Sequence, residues 1–175
     1  MIYYSDQEIT IRTILETDPA IIAAEERAQG WVNASEKKYL KRLKAHNDGN
    51  AVALIAEYCG QVAGYLNVYL DMDAGPFSGA HLPELVDFGV LEKFRRRGIG
   101  TKLMDAAEQI AAEYADTVYL AVGLHSGYGS AQRMYVRRGY LPDGSGVWYG
   151  NDPAVPYQSY PNDDDLILYF SKKLR

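Results

Sequence analysis

The spacing of apolar residues along this chain changes several times, and each change marks an element. Over residues 8–15 the alternation puts Ile9, Ile11 and Thr13 on one face, the period of a half-buried strand. Thr17-Asp18-Pro19 follows, a capping side chain ahead of a proline, and predicts a helix to about Ala28, stopped by Gly30. Asn33 or Ser35 can cap a second helix ending near His46, with Tyr39, Leu40 and Leu43 inward and its lysines in solvent. After the turn Asn47-Asp48-Gly49-Asn50, two β-rich runs over 51–58 and 61–70 meet at Cys59-Gly60 and predict a hairpin. Residues 71–81 read as a loop, and 82–90 as a strand.

The period then becomes helical. Ile99, Leu103, Ala106, Ala107, Ile110, Ala111 and Tyr114 fall on one face of a helix ending near residue 114. A strand over 117–122 is reached through that helix, so it should run parallel to the 82–90 strand. Residues 123–129 form a connection, 130–138 a helix ended by Gly139, and 146–149 a strand. Residues 150–163, with three prolines, form a long loop of the kind that is often functional. The continuous apolar run 166–170 predicts a last strand buried on both faces. The sum is seven strands and four helices: an α/β (α+β) fold with a mixed, mostly antiparallel sheet, in one domain over 1–175.

Composition narrows the class. With 47% apolar and 23% charged residues, the 175-residue chain can bury a core. A net charge of −5 argues against nucleic acid as the main partner and suits a cationic substrate such as an amine. The single cysteine, Cys59, allows no internal disulfide, and His46, His81 and His125 are too scattered for a zinc site, so no metal is expected. The first residues lack the regions of a signal peptide, and no apolar run is long enough for a membrane helix. These features predict a cytoplasmic protein that does not engage membranes. Fifteen tyrosines suit pocket walls and interfaces.

The candidate chemistry lies between residues 90 and 104. A strand ends at Val90, Arg95, Arg96 and Arg97 follow, and Gly98-Ile99-Gly100-Thr101 opens the next helix. Such a turn presents free backbone amides at the positive end of a helix dipole, and glycines let a ligand approach closely. The arginines add bidentate donors, so the turn is an anion site, most often for phosphate. A Walker A loop does not fit these residues, and a dinucleotide fingerprint fails because Leu103 stands where its third glycine is needed. The pattern [R/Q]-x-x-G-x-[G/A] is met by Arg95, Gly98 and Gly100.

A second pattern, N-x-x-A-x-x-L-Y-x-x-x-G-[F/Y], is matched by Ala131, Met134, Tyr135, Gly139 and Tyr140, with Tyr128 where Asn is usual. In this order and spacing the two motifs resemble the GNAT superfamily of N-acetyltransferases. The resemblance implies that the fourth and fifth strands splay apart, with helices on both faces of the sheet. It also implies acetyl-CoA as co-substrate, gripped by its pyrophosphate at Arg95, Arg96, Arg97, Gly98, Ile99, Gly100 and Thr101. The carbonyl and pantetheine amides would pair with the backbone of Phe88, Gly89 and Val90, with Tyr128, Ser130 and Ala131 also beside the cofactor. The Tyr128 departure puts one cofactor hydrogen bond in doubt.

The implied reaction is acetyl transfer to a primary amine of a small molecule or protein, by direct attack. Tyr135 would protonate the leaving thiolate. Glu84 and Asp87 are both candidates for the base, as is water. In a regular strand Glu84 shares a face with Phe88 and Val90, and Asp87 points the other way unless a bulge intervenes. Cys59, in a hairpin away from both motifs, reads as structural. Asp71, Asp73, Asp152 and Asp163 to Asp165 are expected, with Glu84 and Asp87, to favour a cationic acceptor. An acyl-CoA-binding module without catalysis is the alternative. An oligomerising surface in the tyrosine-rich 147–160 loop, giving a homodimer, is compatible with either.

Overall fold

The computed structural model describes residues 1–31, 34–73 and 75–175. Asn33, one of the two expected caps of the second helix, lies outside the described residues. The strands are β1 (Ile2–Ser5), β2 (Ile9–Thr13), β3 (Ala51–Tyr58), β4 (Gln61–Tyr69), β5 (Glu84–Val90), β6 (Thr117–Gly123), β7 (Leu141–Tyr149), β8 (Asp152–Pro153) and β9 (Leu166–Lys173). The helices are α1 (Asp18–Ala28), α2 (Glu36–Asn47), α3 (Ile99–Tyr114) and α4 (Gly129–Arg137). All strands join one sheet in the order β1-β2-β3-β4-β5-β6-β9-β7-β8.

Every pairing is antiparallel except β5 with β6, as a strand–helix–strand connection requires. Two short strands carry no periodicity of their own, and the expectation of seven becomes nine. β1 pairs along β2, and the two-residue β8 folds back on Trp148 and Tyr149 inside the 150–163 segment. β7 begins before Gly146, because Leu141 and Pro142 pair with Ser171 and Phe170 ahead of an irregularity that accommodates Asp143-Gly144-Ser145. In β9 only Tyr169 and Phe170 are buried, so the apolar run is not covered along its whole length.

Two layers cover the sheet, and the alternation of side chains decides which strand residues each receives. Leu54, Ala56, Leu66, Leu85, Leu120 and Val122 face α3, whose buried stripe is Ile99, Leu103, Met104, Ala106, Ala107, Ile110 and Ala111. Tyr114, expected on that stripe, is exposed, and Met104 takes a buried place instead. On the other face Ala53, Ile55 and Tyr65 pack under α1 and α2 through Ile22, Ala23 and Tyr39. A third cluster, Tyr119, Trp148 and Tyr169, lies beneath Met72, Phe77 and Leu82 of the 71–83 segment.

Local chemistry fixes the joints. Neither Thr17 nor Asp18 makes a side-chain cap bond to α1; the buried Asp18 carboxylate instead ties the helix start to β2, accepting from the Leu15 amide at 2.6 Å and from Arg12 at 2.7 Å. The β3–β4 turn places both Cys59 (φ 49°) and Gly60 (φ 76°) in the left-handed region, as a two-residue hairpin of type I′ requires. Glu108 of α3 clamps the helical layer to the sheet, receiving Arg138 at 2.9 Å and Lys172 of β9 at 2.6 Å. Burial alone would raise its carboxyl; the bonds from Arg138 and Lys172 prevail and hold it below the ordinary value. Glu108→Ala is expected to cost about 2 kcal/mol, because it leaves Lys172 without its ion-pair partner and Arg138 with Asp105 alone. The lowered value means that this stability is present above the ordinary carboxylate range and is lost as pH falls through the folded-state value. Denaturant titrations of both proteins at neutral and acid pH should therefore converge at low pH.

Candidate active site

β5 and β6 pair only at Glu84 with Tyr119 and Leu85 with Leu120. Beyond these residues β5 stays with β4 as far as Val90, and β6 stays with β9 as far as Gly123. The two strands therefore diverge into a V. At the β5 side of its mouth the chain passes through residues 92–97 into the first turn of α3.

The cause of the divergence lies in β5. Opposite β4 the register steps from Val86 facing Asn67 to Gly89 facing Tyr65, so the β5 strand carries an extra residue. Asp87 has φ 54°, a left-handed conformation that a non-glycine residue holds only under restraint. Asn67, buried, donates its side-chain amide to the Val86 carbonyl at 3.2 Å. Arg42 and Lys38 of α2 hold the Asp87 carboxylate at 2.5 and 3.1 Å. The bulge corrects the regular-strand expectation for the Glu84 face. Phe88 and Val90 turn toward α3 and α4, while Glu84 and Asp87 both lie on the α1–α2 face, because one extra residue inverts the alternation.

Gly89 stands beside the bulge, not in it. A Cβ there would lie 2.5 Å from the Tyr65 ring. Tyr65 in turn is fixed by a hydrogen bond to Glu26, a buried carboxylate of α1 that also accepts from Tyr39. The glycine thus lets an anchored aromatic lie against the strand.

The basic turn has the geometry of an anion cradle. Arg96 (φ 63°) and Gly98 (φ 80°) are both left-handed, and Gly98 is the residue from which α3 starts. The first helical amide to find a partner is that of Lys102, which donates to Gly98 O at 3.2 Å. Among the described residues the amides from Arg96 to Thr101 are unpaired. The arginines divide their work. Arg95 bonds the Val90 carbonyl at 3.2 Å, Arg97 lies over the Tyr58 ring and donates to its hydroxyl, and Arg96 makes no side-chain bond among the described residues. A Cβ on Gly98 would meet open space, whereas one on Gly100 would press on the Phe88 ring at 3.0 Å. Gly98 therefore serves the backbone conformation, and Gly100 serves the approach of α3 to β5. Gly98→Val is expected to leave the core intact and to weaken acetyl-CoA binding about tenfold or more by calorimetry, since a branched side chain strains the left-handed backbone that aims these amides.

Tyr135 of α4 reaches the V from the α3 side. Its ring is 6% exposed and packs 6.4 Å from Phe88 and 5.8 Å from Tyr140. Its hydroxyl makes no hydrogen bond among the described residues. Burial, reinforced by the neighbouring Tyr128 phenol, raises its pKa well above the ordinary value, so it is a protonated donor at neutral pH. Ser130 lies with Thr101, Arg133, Met134 and Arg137 along a groove between α3 and α4, and Ala131 packs against the main core beside it.

Glu84 sits where the strands begin to part, and is 8% exposed. Burial raises its carboxyl to about 7; the Tyr119 hydroxyl and Arg42 act against the rise, and Asp87 adds to it. A carboxyl titrating near neutrality is suited to accept a proton from an amine.

Tyr128 does not offer a free hydroxyl as an asparagine amide would. It donates to Asp164 Oδ1 at 2.9 Å, and its ring lies directly over Gly123. His125 Nε2 meets the same oxygen at 2.9 Å, while the Gly127 amide donates to His125 Nδ1 at 3.0 Å. With Nδ1 accepting, Nε2 carries the hydrogen donated to Asp164. This Asp164–His125–Tyr128 group ties the segment before β9 to the start of α4, and no local pattern in the sequence joins residues so far apart. Among the acidic residues expected near the acceptor, Glu84, Asp87 and Asp164 gather around the V. Asp71 and Asp73 are engaged within the 71–81 segment by His81 and Ser78, and Asp163 bonds Tyr149. Cys59 is exposed at its hairpin turn. No helix among the described residues is long and apolar enough to cross a membrane.

Known proteins share this fold. The chain superposes on an acetyl transferase from Salmonella typhimurium that modifies the N-terminal serine of ribosomal protein L7/L12, with a TM-score of 0.72, 11% identity and 99% of both chains covered. YncA of the same organism, a putative acetyltransferase solved with acetyl-CoA, gives 0.68 at 17% identity, over 97% of this chain and 95% of that one. Ard1 from Thermoplasma volcanium gives 0.68 at 18% identity, over 95% and 97% of the two chains. No curated protein sequence matches. At these identities the superpositions establish the fold, and the sequence profile of the acetyltransferase (GNAT) family matches residues 16–140, the stretch that carries the parted strands, the basic turn and Tyr135. The chain belongs to the acetyltransferase (GNAT) family.

Proposed function

We propose that this chain, acting as a single domain over 1–175 in the cytoplasm, is an acetyl-CoA-dependent N-acetyltransferase whose acceptor is a primary amine attacking directly. The observation that carries the reading is the V between β5 and β6, with an unpartnered phenol on one face and the buried Glu84 carboxyl on the other. The amides from Arg96 to Thr101 and the Arg96 guanidinium bind the pyrophosphate. The β5 backbone around Phe88, Gly89 and Val90 aligns the pantetheine arm and polarises the thioester carbonyl. Glu84 accepts the proton of the incoming ammonium, and Tyr135 donates to the departing thiolate. The alignment brings amine and carbonyl together without an acyl-enzyme.

Glu84, Asp87 and Asp164 at the acceptor mouth favour a cationic acceptor, and the L7/L12-modifying structural neighbour makes a protein α-amine one class to try. The test is release of free CoA thiol from acetyl-CoA in the presence of polyamines, aminoglycosides, amino acids and peptides with free N-termini. Turnover that requires one class of amine supports the reading. Tight CoA binding with no turnover on any amine would establish the non-catalytic acyl-CoA module instead.

A further inference from the structure

The acceptor side of the V already holds an amine, and it belongs to the protein. Lys38 lies in the first turn of α2, with Nζ 3.1 Å from Asp87 Oδ1. Asp87 is the bulge residue, adjacent in sequence to Phe88, at the point where β5 leaves β6. Its other oxygen is taken by Arg42 at 2.5 Å, so Oδ1 faces the Lys38 ammonium. The Lys38 charge also acts on Asp164, on the other side of the mouth. The ammonium thus stands among the carboxylates that frame the opening, on the face where Glu84 lies. Lys37 and Lys41 of the same helix make no ion pair among the described residues and provide an internal comparison.

Resting on the acetyltransferase reading above, we propose that Lys38 is an internal acceptor, acetylated by the protein's own active centre when acetyl-CoA is bound and no external amine fills the mouth. The Lys38 ammonium, whose side chain is 41% exposed, first gives a proton to solvent water. The neutral Nζ then attacks the thioester carbonyl carbon, forming the N–C bond. Collapse of the tetrahedral intermediate breaks the C–S bond. The nitrogen loses its second proton to water, and the thiolate leaves as thiol with a proton from Tyr135, which solvent restores. The products are Nε-acetyl-Lys38, free CoA thiol and one proton. Loss of the ammonium breaks the pair with Asp87 and frees Oδ1 for an incoming cationic acceptor.

The test incubates the purified full chain with acetyl-CoA alone, follows acetyl uptake by intact mass and maps it by peptide mass spectrometry. The expected result is one acetyl group on Lys38, in preference to Lys37 and Lys41, at a first-order rate that does not change with protein concentration. Lys38→Arg keeps a cation opposite Asp87 and should abolish the uptake; Tyr135→Phe should slow it about tenfold or more. Circular dichroism checks that both variants fold. Lys38 acetylated no faster than Lys37 and Lys41, while an added amine is turned over, overturns the internal acceptor and leaves the acetyltransferase reading in place. A rate rising with protein concentration overturns modification within one chain. Bound CoA with no turnover on Lys38 or any added amine overturns both readings.

Discussion

Replacing Glu84 by glutamine is expected to lower kcat/KM by about 100- to 10,000-fold, the range of a lost general base. The same substitution should make the protein more stable at alkaline pH. Both follow from burial of one carboxyl, which raises it from 4.5 to about 7. For activity, the base must be ionised. The wild-type rate should fall about tenfold per pH unit below pH ~7, and the residual rate of the variant should lose that limb. For stability, the folded state holds the Glu84 proton more tightly than the unfolded chain. The stability this proton supplies is fully present below the unfolded value and is lost as pH rises through the folded one. Glutamine has no charge to desolvate, so at pH ~8 it should gain about 2 kcal/mol, or roughly 4–8 °C in Tm for a chain of this length. A variant that loses activity and also unfolds earlier at pH ~8 would show Glu84 to be a satisfied structural group. A pH profile unchanged by the substitution would pass the base to water or to Asp87, which shares its face.

Tyr135→Phe should lower kcat by about 10- to 1,000-fold and leave acetyl-CoA affinity nearly unchanged. The ring contacts with Phe88 and Tyr140 survive, so the variant keeps the packing of α4 against the sheet. The hydroxyl has no protein partner among the described residues, so its removal leaves no buried donor or acceptor unsatisfied. A loss confined to the chemical step marks an interaction made in the transition state, and equilibrium binding with single-turnover rates would separate the two. Full activity in Tyr135→Phe would make Tyr135 a packing residue. Tyr128 is poorly placed to replace it as a free donor, because its hydroxyl is committed to Asp164.

The sequence by itself determined most of the framework. Apolar runs and their periods, with the cap, glycine and turn residues between them, located the four helices and seven of the strands, since the periods follow from which face of each element is buried. The strand–helix–strand order required the parallel pair. The arginine–glycine turn could be read because its chemistry is local: free amides, left-handed glycine and helix dipole all arise within a few residues. Tyr135 could be singled out from the motif around it, although no local pattern shows that its hydroxyl lies unpartnered beside Phe88.

Tertiary structure decided what depends on distant residues. The β5 bulge arises where Asn67, Lys38 and Arg42 hold Val86 and Asp87, and this moves Asp87 onto the face of Glu84. No pattern within β5 shows it, because a bulge is a mismatch between two strands. The titration of Glu84 depends on burial beside Tyr119, Arg42 and Asp87, brought from other parts of the chain. β1 and β8 are too short to declare a period and exist only by pairing with their neighbours. The place of Lys38 is of the same kind. In sequence it is one lysine among several on a solvated helix, and only the packing of α2 over the bulge sets its amine against Asp87 at the parting of the strands.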